Sequence, residues 1–458
     1  MVTYRDLEVL RENERSRMEF VERAVAEHQR TEEYRIARDA EAYYAKRNVT
    51  IEKYQKFLRD VVGRRMPDVF SANYKLKTAF FRRFVIQQTQ YVLSNGVTFE
   101  KEDTKGKLGG DFDYQLQKAA KKAMVDRVAF VFWNYDHLEV FGLADTEKEP
   151  GFCPLYDEEN GSLRAGIRYW SIGETKRYTL YELDGYTEYI HKKGGDIETK
   201  QEKRAYKQTT KTTNFGGIED INGENYPGFP IIPMYANDIR QSELVGIRES
   251  IDCYDFIKSG LANEIDDTTG FYWTLKNTGG MNDGDLQRFV ERMKVVKATV
   301  LDPGVEAEAH TLDVPTQARE AMLNLLKNDL YEDFQIVDVK AIGAGNKTAT
   351  EIRAAYQPMD DKCGDFEYCV REFIASLFAL LGIEDEPSFK WNRIANQTEE
   401  TQMVLTAAPY LDDESVLNHL PWLTPEEVKE ILQRKDAEDS GRFNDPEEVI
   451  AETNPVEE

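Results

Sequence analysis

The sequence contains no long apolar run. Its longest, residues 373–383 (FIASLFALLGI), is too short to cross a bilayer, for which a helix needs about 20 apolar residues. The N-terminal stretch MVTYRDLEVLRENERSR is charged throughout and lacks the apolar core of a signal peptide. We therefore expect a protein that is neither secreted nor inserted in a membrane. The 41% of hydrophobic residues are enough for a sizeable core.

Cysteine and histidine are scarce and scattered. The four cysteines form no CxxC pair, and Cys363 and Cys369 lie six positions apart on a predicted helix, where they point in different directions. Reduced, buried thiols are therefore expected. The five histidines form no HExxH motif and no Cys-His cluster. We predict no metal site and no cofactor.

Catalytic motifs are missing as well. The segment GAGNKT is close to a phosphate-binding loop, but Asn346 separates Gly345 from Lys347 and the flanks are predicted helices. Residues 282–285 lack the alternating ligands and the distal Glu of an EF-hand, and no G-x-S-x-G element is present. We therefore predict that the protein is not an enzyme.

Basic residues are outnumbered, since 59 Lys and Arg stand against 84 Asp and Glu and give a net charge of −25. Affinity for nucleic acid depends on neutralising phosphates, so this balance disfavours tight DNA binding by the whole surface. Residues 398–458 alone hold 17 acidic and 4 basic residues. They predict a solubilising end with one helix at 423–435, capped at Thr424, and an unstructured tail beyond Ser440.

Two apolar stripes organise the second half of the chain. In residues 314–334 apolar side chains recur every three or four positions, which predicts a helix: Ala318, Met322, Leu325, Leu326, Leu330 and Phe334. The next segment, QIVDVKAIGAGNK at 335–347, contains Gly343 and Gly345 and is predicted to be a loop. A capping box at Thr348 then opens a long helix over 348–381, which we expect Pro358 to kink.

The first half combines helices with strands. We predict peripheral surface helices in residues 2–63. A stronger helix is predicted at 73–93, followed by a strand at 97–99, and another helix is predicted at 114–124. From Arg127 to Lys193 the apolar period is two, which predicts successive antiparallel strands with a hairpin turn at Asp184-Gly185. The lysine-rich residues 192–213 predict a mobile hairpin tip rather than a phosphate-binding patch.

A stalk of two helices is predicted around a small α/β unit. The helices cover residues 242–266 and 314–334, and the unit between them, 267–313, contains predicted strands at 271–276, 299–301 and 305–312 and a helix at 286–296. The two helices are expected to run antiparallel. Because such a stalk buries little on its own, its apolar stripes suggest packing against copies of itself in a ring.

Three segments resemble the portal proteins of tailed bacteriophages, specifically the family typified by the SPP1 portal. They are NYKLKTAFFRRFVIQQTQYVLSNGVTF, RVAFVFWNYDHLEVFGLADTEKEPGFCPLYD and YPGFPIIPMYANDIRQSELVGIRESIDCYDFIKSGLANEIDD. None is a catalytic fingerprint. The resemblance lies in their combination and order and covers about residues 34–404.

The resemblance implies an α+β, predominantly helical portal fold with wing, stem, clip and crown, which assembles into a ring of twelve subunits around a DNA channel. It assigns residues 1–241 to N-terminal helices and the strand-rich wing, 242–266 and 314–334 to the stem, 267–313 to the clip, 335–347 to the tunnel loop, 348–397 to the long helix of the wing, and 398–458 to the crown and acidic tail.

The resemblance also implies a channel at one capsid vertex through which double-stranded DNA is packaged and ejected. The implied partners are further copies of the chain, that DNA, the terminase large subunit, a head-completion or adaptor protein, and the major capsid and scaffolding proteins, with no membrane. The implied location is the virion and, during assembly, the host cytoplasm.

In the tunnel loop, our hypothesis is that Lys340, Asn346 and Lys347 touch DNA phosphates transiently, while Gly343 and Gly345 act as hinges. A solvated loop between helices is the simpler alternative. An acidic channel wall agrees with this role, because it repels a polymer that carries one charge per ~1.7 Å and so lets it slide.

The residues leave two other functions open. A nuclease of the same packaging system would suit the context, although the chain has no catalytic motif and no basic binding face. A non-viral helical scaffold protein would share the apolar stripes without closing a ring. Rings with a central hole in electron micrographs would favour the portal over both.

Overall fold

The computed structural model describes residues 2–10, 13–59, 64–68, 71–212, 218–266, 271–276, 282, 284–285, 287–289, 292, 306–311, 316–343, 349–392, 397–420 and 422–442. Within them the helices are α1 (Tyr4–Val9), α2 (Glu14–His28), α3 (Glu32–Tyr44), α4 (Val49–Lys53), α5 (Phe80–Leu93), α6 (Thr104–Lys107), α7 (Phe112–Asp126), α8 (Arg248–Asp266), α9 (Thr316–Asp333), α10 (Val339–Gly343), α11 (Ala349–Leu381), α12 (Gln397–Ala407), α13 (Asp413–His419) and α14 (Pro425–Arg442).

The strands are β1 (Phe57–Arg59), β2 (Arg65–Pro67), β3 (Val97–Phe99), β4 (Val128–Asn134), β5 (His137–Gly142), β6 (Gly151–Tyr156), β7 (Leu163–Ile172), β8 (Thr175–Glu182), β9 (Gly185–His191), β10 (Ile197–Arg204), β11 (Lys207–Thr212), β12 (Ile218–Glu224), β13 (Ile231–Tyr235), β14 (Phe271–Lys276), β15 (Glu306–Thr311) and β16 (Pro387–Phe389). Helices supply most of the described structure, so the expected mixture of α and β with a helical majority is confirmed.

One large sheet has the strand order β10-β9-β8-β7-β6-β5-β4-β13. Neighbouring strands are antiparallel, as predicted, except that β5 and β6 meet in parallel at Gly142 and Gly151. The predicted hairpin turn at Asp184-Gly185 is confirmed. Glu182 pairs with Gly185 across the turn, and Gly185 has a φ of +136°, which glycine adopts readily.

Residues 192–213 form a hairpin tip only at 192–196, which join β9 to β10, so that prediction is wrong for the rest. Most of them form β10, which pairs with β9 at the sheet edge, and β11, which pairs with β12. The ammonium of Lys200 lies 2.5 Å from the Glu188 carboxylate, and that of Lys203 lies 3.0 Å from Glu182. The sheet's own acids therefore occupy these two lysines.

Helix α2 packs on the sheet and helix α3 packs on α7, so the prediction that residues 2–63 form a peripheral region is wrong. Phe20 of α2 is 1% exposed and Ala37 of α3 is fully buried. Helix α2 contacts β6, β7 and β10. Several inward positions of both helices are alanines, which allow close packing but contribute little hydrophobic signal to the sequence.

Helix α5 begins at Phe80, seven residues later than predicted. The preceding residues lie outside any helix because their backbone N–H groups bond side chains of α8 instead of helical carbonyls. The N–H of Tyr74 donates to Asn263 Oδ1 at 2.6 Å, and that of Leu76 donates to Ser259 Oγ at 2.9 Å. A tertiary contact thus overrides the local helical pattern.

The two long helices predicted at 242–266 and 314–334 are confirmed as helices, apart from the start of the first. Helix α8 begins at Arg248 rather than at residue 242. The turn before it is held by Ser242, whose hydroxyl donates to the Val125 carbonyl at 2.6 Å. Helices α8 and α9 run antiparallel. Glu264 near the end of α8 pairs with Arg319 near the start of α9, at 2.6 Å.

Residues 267–313, the predicted clip, are described mainly in the two strands that adjoin α8 and α9. Strands β14 and β15 pair antiparallel, with Phe271 opposite Thr311. The predicted strands at 271–276 and 305–312 correspond to this hairpin. The predicted strand at 299–301 and most of the predicted helix at 286–296 fall outside the described residues.

Helix α11 runs for 33 residues and continues through Pro358. Its predicted stripe is confirmed as buried: Tyr356, Met359, Cys363, Phe366, Val370, Phe373 and Leu377 are each at most 4% exposed. The C-terminal region contains α12, α13 and α14, whereas only the helix at 423–435 was predicted. Thr424 caps α14 as expected, in a capping box with Glu427. The tail was predicted to lack structure beyond Ser440, but α14 extends to Arg442. Residues from 443 on lie outside the described residues.

Candidate functional site

The second stem helix, α9, continues into an anchored junction. Phe334, Ile336 and Val337 are buried on either side of Gln335, whose φ of +56° turns the chain. Gln87 of α5 donates its side-chain N–H to the Val337 carbonyl at 3.0 Å. The start of the predicted tunnel loop is therefore fixed to the helical core.

Lys362 of α11 holds the same junction. Its ammonium donates to the Phe334 carbonyl at 3.0 Å, lies 3.6 Å from the centre of the Phe334 ring, and pairs with Glu243 at 2.6 Å. The side chains of Lys362 and Glu243 are only 16% and 11% exposed. Removing one partner of such a pair leaves the other charge buried and unpaired. Lys362 thus connects the long helix α11 to the end of α9 and to Glu243, which precedes α8.

Asp338 starts the short helix α10. Its carboxylate accepts the backbone N–H of Lys340 at 3.1 Å and pairs with Lys327 of α9. Burial alone would raise the pKa of the Asp338 carboxyl, but the Lys327 ammonium and the Lys340 N–H outweigh it and hold the pKa below its usual range. The prediction that 335–347 is wholly a loop is therefore wrong, because residues 339–343 are helical.

The structure describes only some of the predicted DNA-contact set. Lys340 lies exposed on α10, and its side chain has no partner among the described residues. Gly343 is the last residue of α10. Gly345, Asn346 and Lys347 lie outside the described residues, so the grouping of these five residues stays a prediction.

Sequence reasoning missed the three side chains that anchor this segment: Gln87, Lys327 and Lys362. A signal was present for Gln87, because it interrupts an otherwise apolar stripe of the predicted helix at 73–93. Nothing in the sequence distinguishes Lys327 or Lys362 from other helical lysines. Their roles depend on tertiary neighbours.

A buried polar row on α8 fixes the segment before α5. Asp255, Ser259 and Asn263 follow one another at intervals of four residues and are at most 3% exposed. The Asp255 carboxylate accepts the N–H of Thr78 at 3.0 Å. Burial raises the pKa of Asp255 although this hydrogen bond and one from Asn48 oppose the shift. Nothing in the sequence distinguishes Asp255 from the other acids of the predicted helix at 242–266.

The apolar stripe of α9 divides into a buried and an exposed portion. Leu326 and Leu330 are 7% and 0% exposed, whereas Met322 and Leu325 are 38% and 54% exposed. Asp329 follows Leu325 by four residues and so lies on the same side of the helix. A stem helix therefore presents large apolar side chains to its surroundings.

The described residues offer no obvious reactive centre. They contain no group of three His, Cys, Asp or Glu side chains that could hold a metal ion. All four cysteines are free, and burial raises the pKa of Cys363 to about 12, which keeps this thiol protonated and unreactive. None of the described helices is both long and apolar enough to span a bilayer.

Comparison with known proteins gives the family. Residues 24–441 match the family described as phage portal protein, SPP1 Gp6-like. The portal protein of Clostridium phage phiCD119 is 23% identical over an alignment of 425 residues that covers 86% of this chain and 90% of the relative. The portal protein of Bacillus phage SPP1 is 25% identical over 352 residues, 73% of this chain and 67% of the relative.

Solved structures of a gene transfer agent particle are similar over most of the chain. The neck of the empty particle matches with a TM-score of 0.41 and 12% identity, over 76% of this chain and 91% of the other. The neck of the native particle matches with a TM-score of 0.36 and 11% identity, over 75% and 90%. The family assignment depends on the sequence match, which spans well over half of the residues: this chain belongs to the phage portal protein family of the SPP1 Gp6 type.

Proposed function

We propose that this protein forms a ring-shaped channel at one vertex of a phage capsid, through which double-stranded DNA is packaged and later ejected. Membership of the portal family supports this function. The observation that carries the ring is the exposure of Met322 and Leu325 along one side of α9. Adjacent large apolar side chains on one helix face are typical of a surface that another subunit covers.

The charge of the chain suits a passage through which DNA slides. A net charge of −25 disfavours tight binding to phosphates. Weak local contacts then come from the tunnel segment, where Lys340, Asn346 and Lys347 meet phosphates transiently. The exposed side chain of Lys340, which has no partner within the described residues, supports this role. Gly343 and Gly345 are the proposed hinges, because glycine permits backbone conformations that other residues resist.

The proposed partners follow from the family. The terminase large subunit, and later a head-completion or adaptor protein, would dock on the clip, whose base is the hairpin of β14 and β15. The major capsid and scaffolding proteins would surround a ring of twelve subunits. The protein would then occupy the host cytoplasm during assembly and the virion afterwards.

Electron micrographs and the native mass of the purified full-length protein test this function. We expect rings with a central hole and a mass twelve times that of the chain. In infection, particles made without the protein should fail to fill with DNA. A monomer at every concentration, or particles that fill without the protein, would contradict the proposal. The relatives matched are portal proteins rather than nucleases, so linear double-stranded DNA incubated with the rings and Mg²⁺ should stay intact.

A further inference from the structure

A basic segment lies along the first stem helix. Residues 53–77 hold seven Lys and Arg and two acids, a net +5 in a chain whose total is −25. We call the described residues of this segment, 53–59, 64–68 and 71–77, the basic arm. Its strands β1 and β2 form an antiparallel hairpin, and its last residues are bonded to α8 through Ser259 and Asn263. The arm is therefore a fixed component of the stem surface.

The basic arm also exposes apolar surface. Five of its large apolar side chains are at least 37% exposed: Tyr54, Phe57, Met66, Tyr74 and Leu76. The guanidinium of Arg65 lies 3.8 Å from the centre of the Phe57 ring, so charge and apolar surface alternate within the hairpin. Lys53 is exposed and makes no ion pair within the described residues.

A surface of opposite charge lies on α9. The exposed portion of its stripe places Met322 and Leu325 beside Asp329 and Glu332, at steps of three and four residues. We call these four residues the acidic stripe. Neither acid forms an ion pair within the described regions of the chain, and Glu332 is exposed. The acidic stripe thus combines apolar side chains with negative charge, as the basic arm combines them with positive charge.

The basic arm and the acidic stripe lie on different sides of one stem. The arm contacts the row that includes Ser259 and Asn263. Helix α9 packs on the adjacent row, where Arg319 pairs with Glu264 and a Cβ added to Gly260 would lie 3.8 Å from its guanidinium. Successive helix positions differ by about 100° around the axis. Tyr331 of α9, on the side of the helix largely opposite the acidic stripe, contacts Arg83 of α5, the helix that follows the arm. The acidic stripe therefore faces away from the arm.

We propose that the basic arm of one subunit docks on the acidic stripe of the next copy of this chain. This inference rests on the proposed ring, because a cyclic assembly joins two different surfaces of the subunit head to tail. Apolar burial between Met66 or Leu76 and Met322 or Leu325 supplies the attraction. The charges set orientation and exclude wrong pairings.

A second copy fits the basic arm better than nucleic acid does. DNA backbone offers phosphates but no apolar partner for Met66 and Leu76, whereas the acidic stripe offers both negative charge and apolar side chains. The rest of the chain carries a net −30 once the +5 of residues 53–77 is removed from −25. The arm's complement is therefore present on every neighbouring subunit.

Charge reversal and its rescue test the docking. Arm variant Lys53→Glu/Arg65→Glu and stripe variant Asp329→Lys/Glu332→Lys each place like charges opposite one another. We expect each variant to lower the fraction of protein in rings at least roughly fivefold at low ionic strength. The variant that combines all four substitutions should restore the fraction. Lys148→Glu, an exposed lysine in the loop after β5, is the matched control and should leave the fraction unchanged. Analytical ultracentrifugation of the full-length protein measures the fraction.

Cross-linking gives a second readout that does not depend on charge. Met66→Cys combined with Leu325→Cys should, on oxidation of the assembled protein, give a ladder of covalent oligomers on non-reducing gels. Each single variant should give none beyond the background of the four native thiols. A disulfide formed within one chain, which leaves the protein monomeric on the gel, or the absence of any cross-link would overturn the docking.

The outcomes separate this inference from the ring itself. If the wild-type chain forms rings and both reversals leave them intact, the docking is wrong while the proposed channel stands. If the arm reversal leaves rings intact but weakens binding of a double-stranded DNA fragment, the basic arm is a nucleic-acid surface instead. If the wild-type chain is a monomer throughout, the channel proposal fails and the docking fails with it.

Discussion

The carboxylate of Asp255 accepts the backbone N–H of Thr78 at 3.0 Å, across 177 residues of sequence. It is fully buried and also accepts a hydrogen bond from the side chain of Asn48. One residue of the first stem helix therefore organises the chain before α5 and the start of α4. Since the basic arm ends one residue before Thr78, this contact also determines where the arm lies.

Replacing Asp255 by Ala should destabilise the fold more than a typical helix substitution. The change leaves the Thr78 N–H and the Asn48 amide buried without their acceptor, which costs about 2–4 kcal/mol of unfolding free energy. Ser259→Ala, which removes a neutral acceptor from the same row, should cost only about 1 kcal/mol. Denaturant unfolding measures both. Equal losses for the two variants would contradict the special role of the carboxylate.

Features set by local sequence patterns could be predicted, whereas features set by tertiary contacts could not. The buried stripe that includes Tyr356 and Phe373 could be predicted, because the spacing of apolar residues directly indicates which helix face is buried. The extended segment before Phe80 was not, because side chains of a helix about 180 residues later satisfy its backbone. The burial of Asp255 could not be predicted, because its neighbours along the chain do not indicate it.

The candidate site follows the same division. Gly343 and Gly345 predicted a loop, and the family resemblance predicted that it is the tunnel loop. Its anchoring by Gln87 and Lys362 depends on distant helices. The short helix α10 was missed because five residues carry too weak a periodic signal. The structure pairs Asp338 with Lys327 of α9, a contact that the sequence does not indicate.

The pH dependence of stability should change when Asp126 is replaced by Asn. Asp126 of α7 is fully buried and accepts the Leu143 N–H at 2.9 Å. Burial raises the pKa of this carboxyl well above its usual range, the Lys122 ammonium opposes the shift, and Glu41 adds to it. The folded chain therefore holds this proton more tightly than the unfolded chain, whose Asp pKa is about 3.9.

The direction of the change in unfolding free energy with pH follows from how many protons each state binds at Asp126. As pH rises from about 4 through the raised pKa, the unfolded chain binds fewer protons than the folded chain at this site, so the wild type loses unfolding free energy. Asp126→Asn stays neutral and loses none there. The stability of the wild type relative to the variant should thus fall by about 1.4 kcal/mol for each unit by which the pKa is raised. Urea unfolding at a series of pH values measures this difference, and a constant gap would show that Asp126 has no raised pKa.

Replacing Lys340 and Lys347 by Ala should impair DNA handling without impairing assembly. Lys340 is exposed on α10 and its side chain bonds nothing among the described residues, so its loss should leave the fold and the ring intact. A channel lined by a chain of net charge −25 repels DNA, and the two ammonium groups supply local attraction to the phosphates. Their removal should leave DNA less well retained after packaging.

The measurement is DNase-protected DNA per capsid, in phage particles complemented with each variant. We expect Lys340→Ala/Lys347→Ala to reduce protected DNA roughly threefold or more, and the single variants to have intermediate effects because each contact is weak and screened by salt. Lys148→Ala removes an equally exposed lysine far from the tunnel segment in sequence and should have no effect. Normal filling and retention in the double variant would mean that the tunnel segment borders the passage without touching the phosphates, and that the channel needs no attraction to hold its DNA.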